Sequence, residues 1–91
     1  HEGKIIDKIH ESMNAVDALI INPGAFAHYS YAIRDAISAI DLPTIEVHLS
    51  DVFKREEFRK NLIMSDVCKE TILGKGIDGY LDAVNKIKEI V

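Results

Sequence analysis

Helical periodicities and short apolar runs alternate along this chain with no hairpin signal between them, which points to parallel strands joined by helices. From Lys4 to Ala15, Ile5, Ile6, Ile9 and Met13 recur at helical spacing, and Asn14 is a natural stop because it tolerates left-handed backbone. Ala18 to Ile21 is a continuous apolar run, as in a strand buried on both faces. Pro23 and Gly24 end it, one by removing a backbone donor and the other by permitting a sharp turn. Ser30 is the expected N-cap of a second helix reaching Ile40, with Ala32, Ile33, Ala36, Ile37 and Ile40 as its stripe. Beyond Pro43, Thr44 to Leu49 reads as the next strand, and Asp51 as the cap of a short charged helix running through Lys60. Thr71 to Leu73 is a third strand closed by Gly74 and Gly76. The last helix is expected to bury one face made of Tyr80, Leu81, Val84, Ile87 and Val91. The fold class is therefore α/β with a parallel sheet, residues 1–91 forming a single domain.

Three strands are few for such a sheet, and α/β folds usually open on a strand rather than a helix. The chain is either a small α/β domain or one from which a first strand-helix-strand unit is missing. Its 91 residues suffice for one small domain. No apolar run approaches membrane-spanning length, and His1 leads directly into a charged amphipathic stretch rather than a signal peptide. A net charge of −4 argues against a general nucleic-acid binder, which needs a basic face for phosphates. The one cysteine, Cys68, forms no internal disulfide and suits a reducing cytoplasm.

In open parallel sheets, ligands bind beyond the carboxyl ends of the strands, where this chain's polar residues gather. Asn22 ends the first strand. In Ile45-Glu46-Val47-His48-Leu49-Ser50, period-two alternation puts Glu46, His48 and Ser50 on one face. A carboxylate beside a histidine orients the ring and favours its imidazolium form, a general acid near neutral pH. The plainer reading of a lone Glu-x-His is a strand with one solvated face. A metal held by His28, His48 and Glu46 is a further option, although no ligand-spacing signature supports it. By themselves, His28 could cap a helix, Arg34 and Asp35 could be solvated, and Arg55 and Arg59 could pair with Glu56 or face water, while Arg59 could equally meet an anionic substrate. No nucleophile elbow, phosphate-cradling glycine loop or zinc motif is present.

Taken in order, these segments become specific. Ile21-Asn22-Pro23-Gly24-Ala25, then His28, then Ala32-Ile33-Arg34-Asp35-Ala36 resembles one signature of the type II 3-dehydroquinate dehydratases. Pro43 and Ile45-Glu46-Val47-His48-Leu49-Ser50, followed by Arg55-Glu56 and Phe58-Arg59, resembles the other. His1-Glu2-Gly3 is similar to the stretch just after that family's second strand, so the likeness covers the whole chain.

The resemblance implies a flavodoxin-like three-layer sandwich of strand order 2-1-3-4-5, with this chain holding strands three to five. It implies a lyase that removes water from 3-dehydroquinate to give 3-dehydroshikimate, by anti elimination through an enolate without metal or organic cofactor. The rival is a catalytically silent module of the same fold that binds an anion or a partner. By resemblance His48 is the general acid and Glu46 its orienting carboxylate. Asn22 binds substrate, the backbone N–H groups of Leu49 and Ser50 cradle its carboxylate, and His28 and Arg59 hold ring hydroxyls. Asp35 matches an acid contributed across a subunit contact, in a family that gathers trimers into a dodecamer. The family's catalytic tyrosine and its arginine partner lie upstream of His1, and Tyr29, Tyr31 and Tyr80 do not match them, so these residues alone are expected to be inactive. Departures from the family pattern are Asp51 in place of an asparagine, Leu62 where serine is common, and Tyr29 in place of a threonine.

Overall fold

The computed structural model describes the backbone of residues 1–91 and every side chain except those of Phe58 and Arg59. Helix α1 spans Glu2–Ser12, strand β1 Leu19–Ile21, helix α2 Tyr31–Ile40, strand β2 Thr44–His48, strand β3 Glu70–Leu73 and helix α3 Asp78–Ile90. Four short 3-10 turns, Gly24–His28, Val52–Lys54, Glu57–Lys60 and Ser65–Val67, fill the connections at the functional edge and around it.

The boundaries follow from local chemistry. Helix α1 ends where Met13 turns extended and Asn14 adopts φ 69°, the left-handed conformation that asparagine accepts. Ser30 caps α2 as its side chain accepts a hydrogen bond from Ile33 N at 3.2 Å, satisfying one of the helix's orphan donors. The same hydroxyl donates to Glu2, tying the two helix starts together. Asp41, at φ 56°, ends α2 in left-handed backbone just before Leu42-Pro43.

The sheet is parallel throughout and ordered β1-β2-β3. This is the neighbour relation expected of strands three, four and five. Register pairs Ile21 with Glu46, Glu46 with Thr71 and His48 with Leu73. Helices α1 and α2 cover one face through Ile9, Ile33, Ala36, Ile37 and Ile40, joined by Met64 from a connection. On the other face Ile45, Val47 and Ile72 meet Ala83 of α3. Each fully buried isoleucine, such as Ile33 or Ile45, contributes about 1.5–3 kcal/mol by leaving water. Among the described residues no helix is long and apolar enough to cross a membrane.

Two expectations are corrected. Residues 52–60 do not form one charged helix: Arg55 is extended (φ −109°, ψ −161°) and separates two 3-10 turns. Asp51 does act as a cap, accepting from Phe53 N at 3.1 Å. The segment lacks a continuous apolar stripe at helical spacing, so nothing pays the entropy of a longer helix. In α3 the buried face is Gly79 and Ala83, with Ile87 half-buried, while Tyr80, Leu81, Val84 and Val91 are exposed. Small residues win because they let the helix approach the sheet. A Cβ on Gly79 would stand 3.2 Å from Val47 Cγ1 and 3.5 Å from Ile72 Cγ2.

Candidate active site

Strand β2 organises the site. Ile45 and Val47 face α3, so alternation turns Thr44, Glu46 and His48 to the opposite side. That side is not solvated, contrary to the plainer reading of the Glu-x-His pattern: all five residues of β2 are buried, Glu46 at 0% exposure and His48 at 5%. Loops on this side close over it, the 61–67 connection in particular. Among the described residues no buried side-chain nitrogen or oxygen lacks a hydrogen-bond partner, so the buried polar pair is compensated.

Glu46 uses both carboxylate oxygens. Its Oε2 lies 2.7 Å from His48 Nε2, and its Oε1 lies 3.0 Å from Ser65 Oγ and 3.2 Å from Thr71 Oγ1. A carboxylate oxygen accepts, so Nε2 of His48 carries the hydrogen, and Nδ1 is the ring nitrogen that Glu46 does not engage; His48 also lines a cleft. The Glu46 contact therefore fixes the ring through Nε2.

That cleft encloses about 330 Å³ at the carboxyl ends of β1 and β2. It brings together Asn22, His28, His48, Leu49 and Ser50 from the sequence-derived set, and adds Arg55. Asn22 is held at the end of β1 by two contacts: its Nδ2 donates to Tyr80 Oη at 3.1 Å and its Oδ1 accepts from Gly24 N at 3.1 Å. His28 sits at the end of the Gly24–His28 turn, and its Nδ1 donates to the Asn61 carbonyl at 3.2 Å. Past β2, the His48 and Leu49 carbonyls accept from Gly74 N (3.3 Å) and Gly76 N (2.9 Å), anchoring the turn to the start of α3.

Among the described residues of that set, Glu46 lies behind His48 and Asp35 lies outside the cleft. Asp35 lies exposed on α2, its Oδ1 3.8 Å from Arg34 Nη1. Arg59 falls in the Glu57–Lys60 turn, but its side chain lies outside the described residues. Among the described residues no three histidine, cysteine, aspartate or glutamate side chains are grouped to hold a metal ion, so the His28–His48–Glu46 option finds no geometric support.

Sequence reasoning missed Ser65, Thr71 and Tyr80. Thr71 was within reach, because parallel pairing of Thr44–His48 with the third strand places it opposite Glu46. Ser65 and Tyr80 arrive through tertiary contacts with no local signal. Ser65 belongs to a turn anchored by Arg34, whose Nε donates to the Ile63 carbonyl and whose Nη2 donates to Asp66, each at 2.9 Å. That hydrogen bond holds the Asp66 carboxyl below its usual range and raises the Arg34 guanidinium. Nearby, burial together with the charges of Glu46 and Asp66 pushes the Cys68 thiol up to about 12.

Comparison with known proteins gives the family. The 3-dehydroquinate dehydratase of Caldicellulosiruptor saccharolyticus is 52% identical over 92 residues, which take in 100% of this chain and 63% of that protein. The corresponding protein of Thermotoga maritima is 51% identical, over 98% of this chain and 60% of its own length. Among solved structures, the type II dehydroquinase from Butyrivibrio crossotus superposes with a TM-score of 0.94 at 49% identity, covering 97% of this chain and 62% of that one. The chain thus spans less than two thirds of the length of these relatives. The family model described as Dehydroquinase class II matches residues 1–88, and with these likenesses the chain belongs to the class II dehydroquinases.

Proposed function

We propose that this chain is the C-terminal portion of a type II 3-dehydroquinate dehydratase, a lyase that eliminates water from 3-dehydroquinate to give 3-dehydroshikimate. The observation that carries this is the buried Glu46–His48 pair, 2.7 Å apart, opening on a cleft lined by Asn22, His28, Leu49 and Ser50. Elimination needs a base to take the proton beside the ketone and an acid to protonate the departing hydroxyl. The residues here supply the acid. Glu46 fixes the His48 ring, and Nδ1 of the imidazolium gives its proton to the leaving oxygen.

The remaining polar groups hold the substrate. The N–H groups of Leu49 and Ser50 receive its carboxylate, Asn22 binds the substrate at the end of β1, and His28 and Arg59 hold ring hydroxyls. Asp35, on the outer surface of α2, serves the cleft of a neighbouring copy in a homo-oligomer of trimers gathered into a dodecamer. The base comes from a segment N-terminal to these residues, with the strands that complete the 2-1-3-4-5 sheet. No metal or organic cofactor takes part in this scheme. A partly buried free thiol at Cys68 suits work in the cytoplasm.

The test is His48→Ala in the full-length enzyme. Turnover is expected to fall by roughly 10²–10⁴-fold, the usual share of a general acid, with a smaller change in substrate binding. Near-normal product formation, followed by ultraviolet absorbance, would overturn the assignment of His48.

A further inference from the structure

The dehydratase mechanism asks Glu46 to orient His48, but a carboxylate is free to rotate unless its second oxygen is also held. Oε2 alone, facing Nε2 of His48, fixes neither the carboxylate plane nor the ring. In this structure Oε1 is held by Ser65 Oγ at 3.0 Å and Thr71 Oγ1 at 3.2 Å, and the two hydroxyls lie 3.0 Å from each other. Two hydroxyls bring two protons to three contacts. Either both donate to Glu46, or Thr71 donates to Ser65 and Ser65 to Glu46, a chain in which each bond polarises the next. Oε1 is satisfied in both cases. With Glu46 at 0% exposure, no bulk water reaches it to replace a lost donor.

The two hydroxyls reach Glu46 from independent supports. Thr71 is set by the sheet, as the register partner of Glu46 across β2 and β3. Ser65 is set by the 3-10 turn that Arg34 anchors from α2 through Ile63 and Asp66.

We propose that Ser65 and Thr71 are positioning residues for the Glu46–His48 acid. They lock the Glu46 carboxylate so that the His48 imidazolium keeps its Nε2–H on Glu46 and presents its Nδ1–H to the leaving hydroxyl. Neither hydroxyl lines the cleft, and neither touches the substrate. Their effect is expected on kcat and not on KM. This inference rests on the dehydratase reading for its kinetic arm and on the hydrogen-bond geometry alone for its spectroscopic arm.

The experiment uses the full-length enzyme carrying Ser65→Ala, Thr71→Val, both together, and Thr71→Ser as the conservative control. The double variant is expected to lose about tenfold to a hundredfold in kcat, the scale on which outer partners of a site residue act, with KM changed by less than about threefold. Thr71→Ser, which keeps the hydroxyl, is expected to stay within about twofold of the parent. In a His48→Ala background the double replacement should cost nothing further, because the group being positioned is gone. A loss of equal size in that background, or an unchanged kcat in the double variant, would overturn the proposal.

Nitrogen-15 spectra of the His48 imidazole supply the second arm. With the ring in its neutral form, the parent is expected to show the Nε2–H tautomer and the double variant a mixture of tautomers. An unaltered tautomer would count against the proposal whatever the enzyme turns over. If the parent itself shows no turnover of 3-dehydroquinate, the dehydratase reading fails, and the spectra still decide the positioning claim.

Discussion

Glu46 has no exposed surface and three hydrogen-bond partners, so its position is set by an imidazole and two hydroxyls rather than by solvent. Half of this arrangement was legible in the sequence, because strand alternation places Glu46 and His48 on one face whatever surrounds them. That the face would be buried was not legible, since burial depends on the 61–67 connection folding back across the sheet. Cys68 offers a test at the same scale. With its thiol pushed up to about 12 from an ordinary 9.0, its thiolate fraction at neutral pH falls about a thousandfold, while the greater nucleophilicity of a more basic sulfur returns roughly thirtyfold. A disulfide reagent should therefore label Cys68 about thirtyfold more slowly in the native protein than in the denatured one, before counting access. Equal rates in native buffer and in denaturant would show that burial does not govern this thiol.

Helices with good caps and clean stripes were readable: Ser30 and Asn14 mark the start of α2 and the end of α1 where local chemistry says they should. The charged stretch 52–60 was not, because its few apolar residues give no helical face and tertiary contacts decide its path. Helix α3 failed differently. Its large apolar residues suggested a buried stripe, yet the sheet receives Gly79 and Ala83, since close approach needs small side chains. Gly79→Val is accordingly expected to destabilise the full-length protein by about 1–3 kcal/mol, because branched carbons would enter space already held by Val47 and Ile72. Urea unfolding measures this directly. An unchanged midpoint would mean that α3 slides along the sheet at no cost.

Taken whole, the molecule has a closed interior and an open sheet with β1 and β3 at its edges among the described residues. Strand β1 pairs with β2 on one side and with no strand among the described residues on the other. An apolar groove lined by Ile5, Ile9, Leu19 and Ile21 runs beside it. Parallel sheets are ordinarily covered, and an unpaired edge invites pairing with other chains. The 91 residues by themselves are expected to give no detectable conversion of 3-dehydroquinate, since the proposed scheme takes its base from a segment outside them. Measurable product from the purified segment would require a base among the residues described above. Family and parallel topology were both legible at this scale, because the Asn22–Pro23–Gly24 and Glu46–Val47–His48 segments fix the strand ends that the ligand edge is built from.

The Glu46, His48, Ser65 and Thr71 network has one more consequence, for recombination. All four residues lie within a single strand-connection-strand unit, no two of them more than 25 positions apart. Asn22 and His28 belong to the unit before it. A chimera of two relatives joined between Ile40 and Thr44 would take the whole Glu46, His48, Ser65 and Thr71 network from one parent and Asn22 and His28 from the other. Such a crossover leaves the network undivided, whereas a crossover between His48 and Ser65 mixes its two ends.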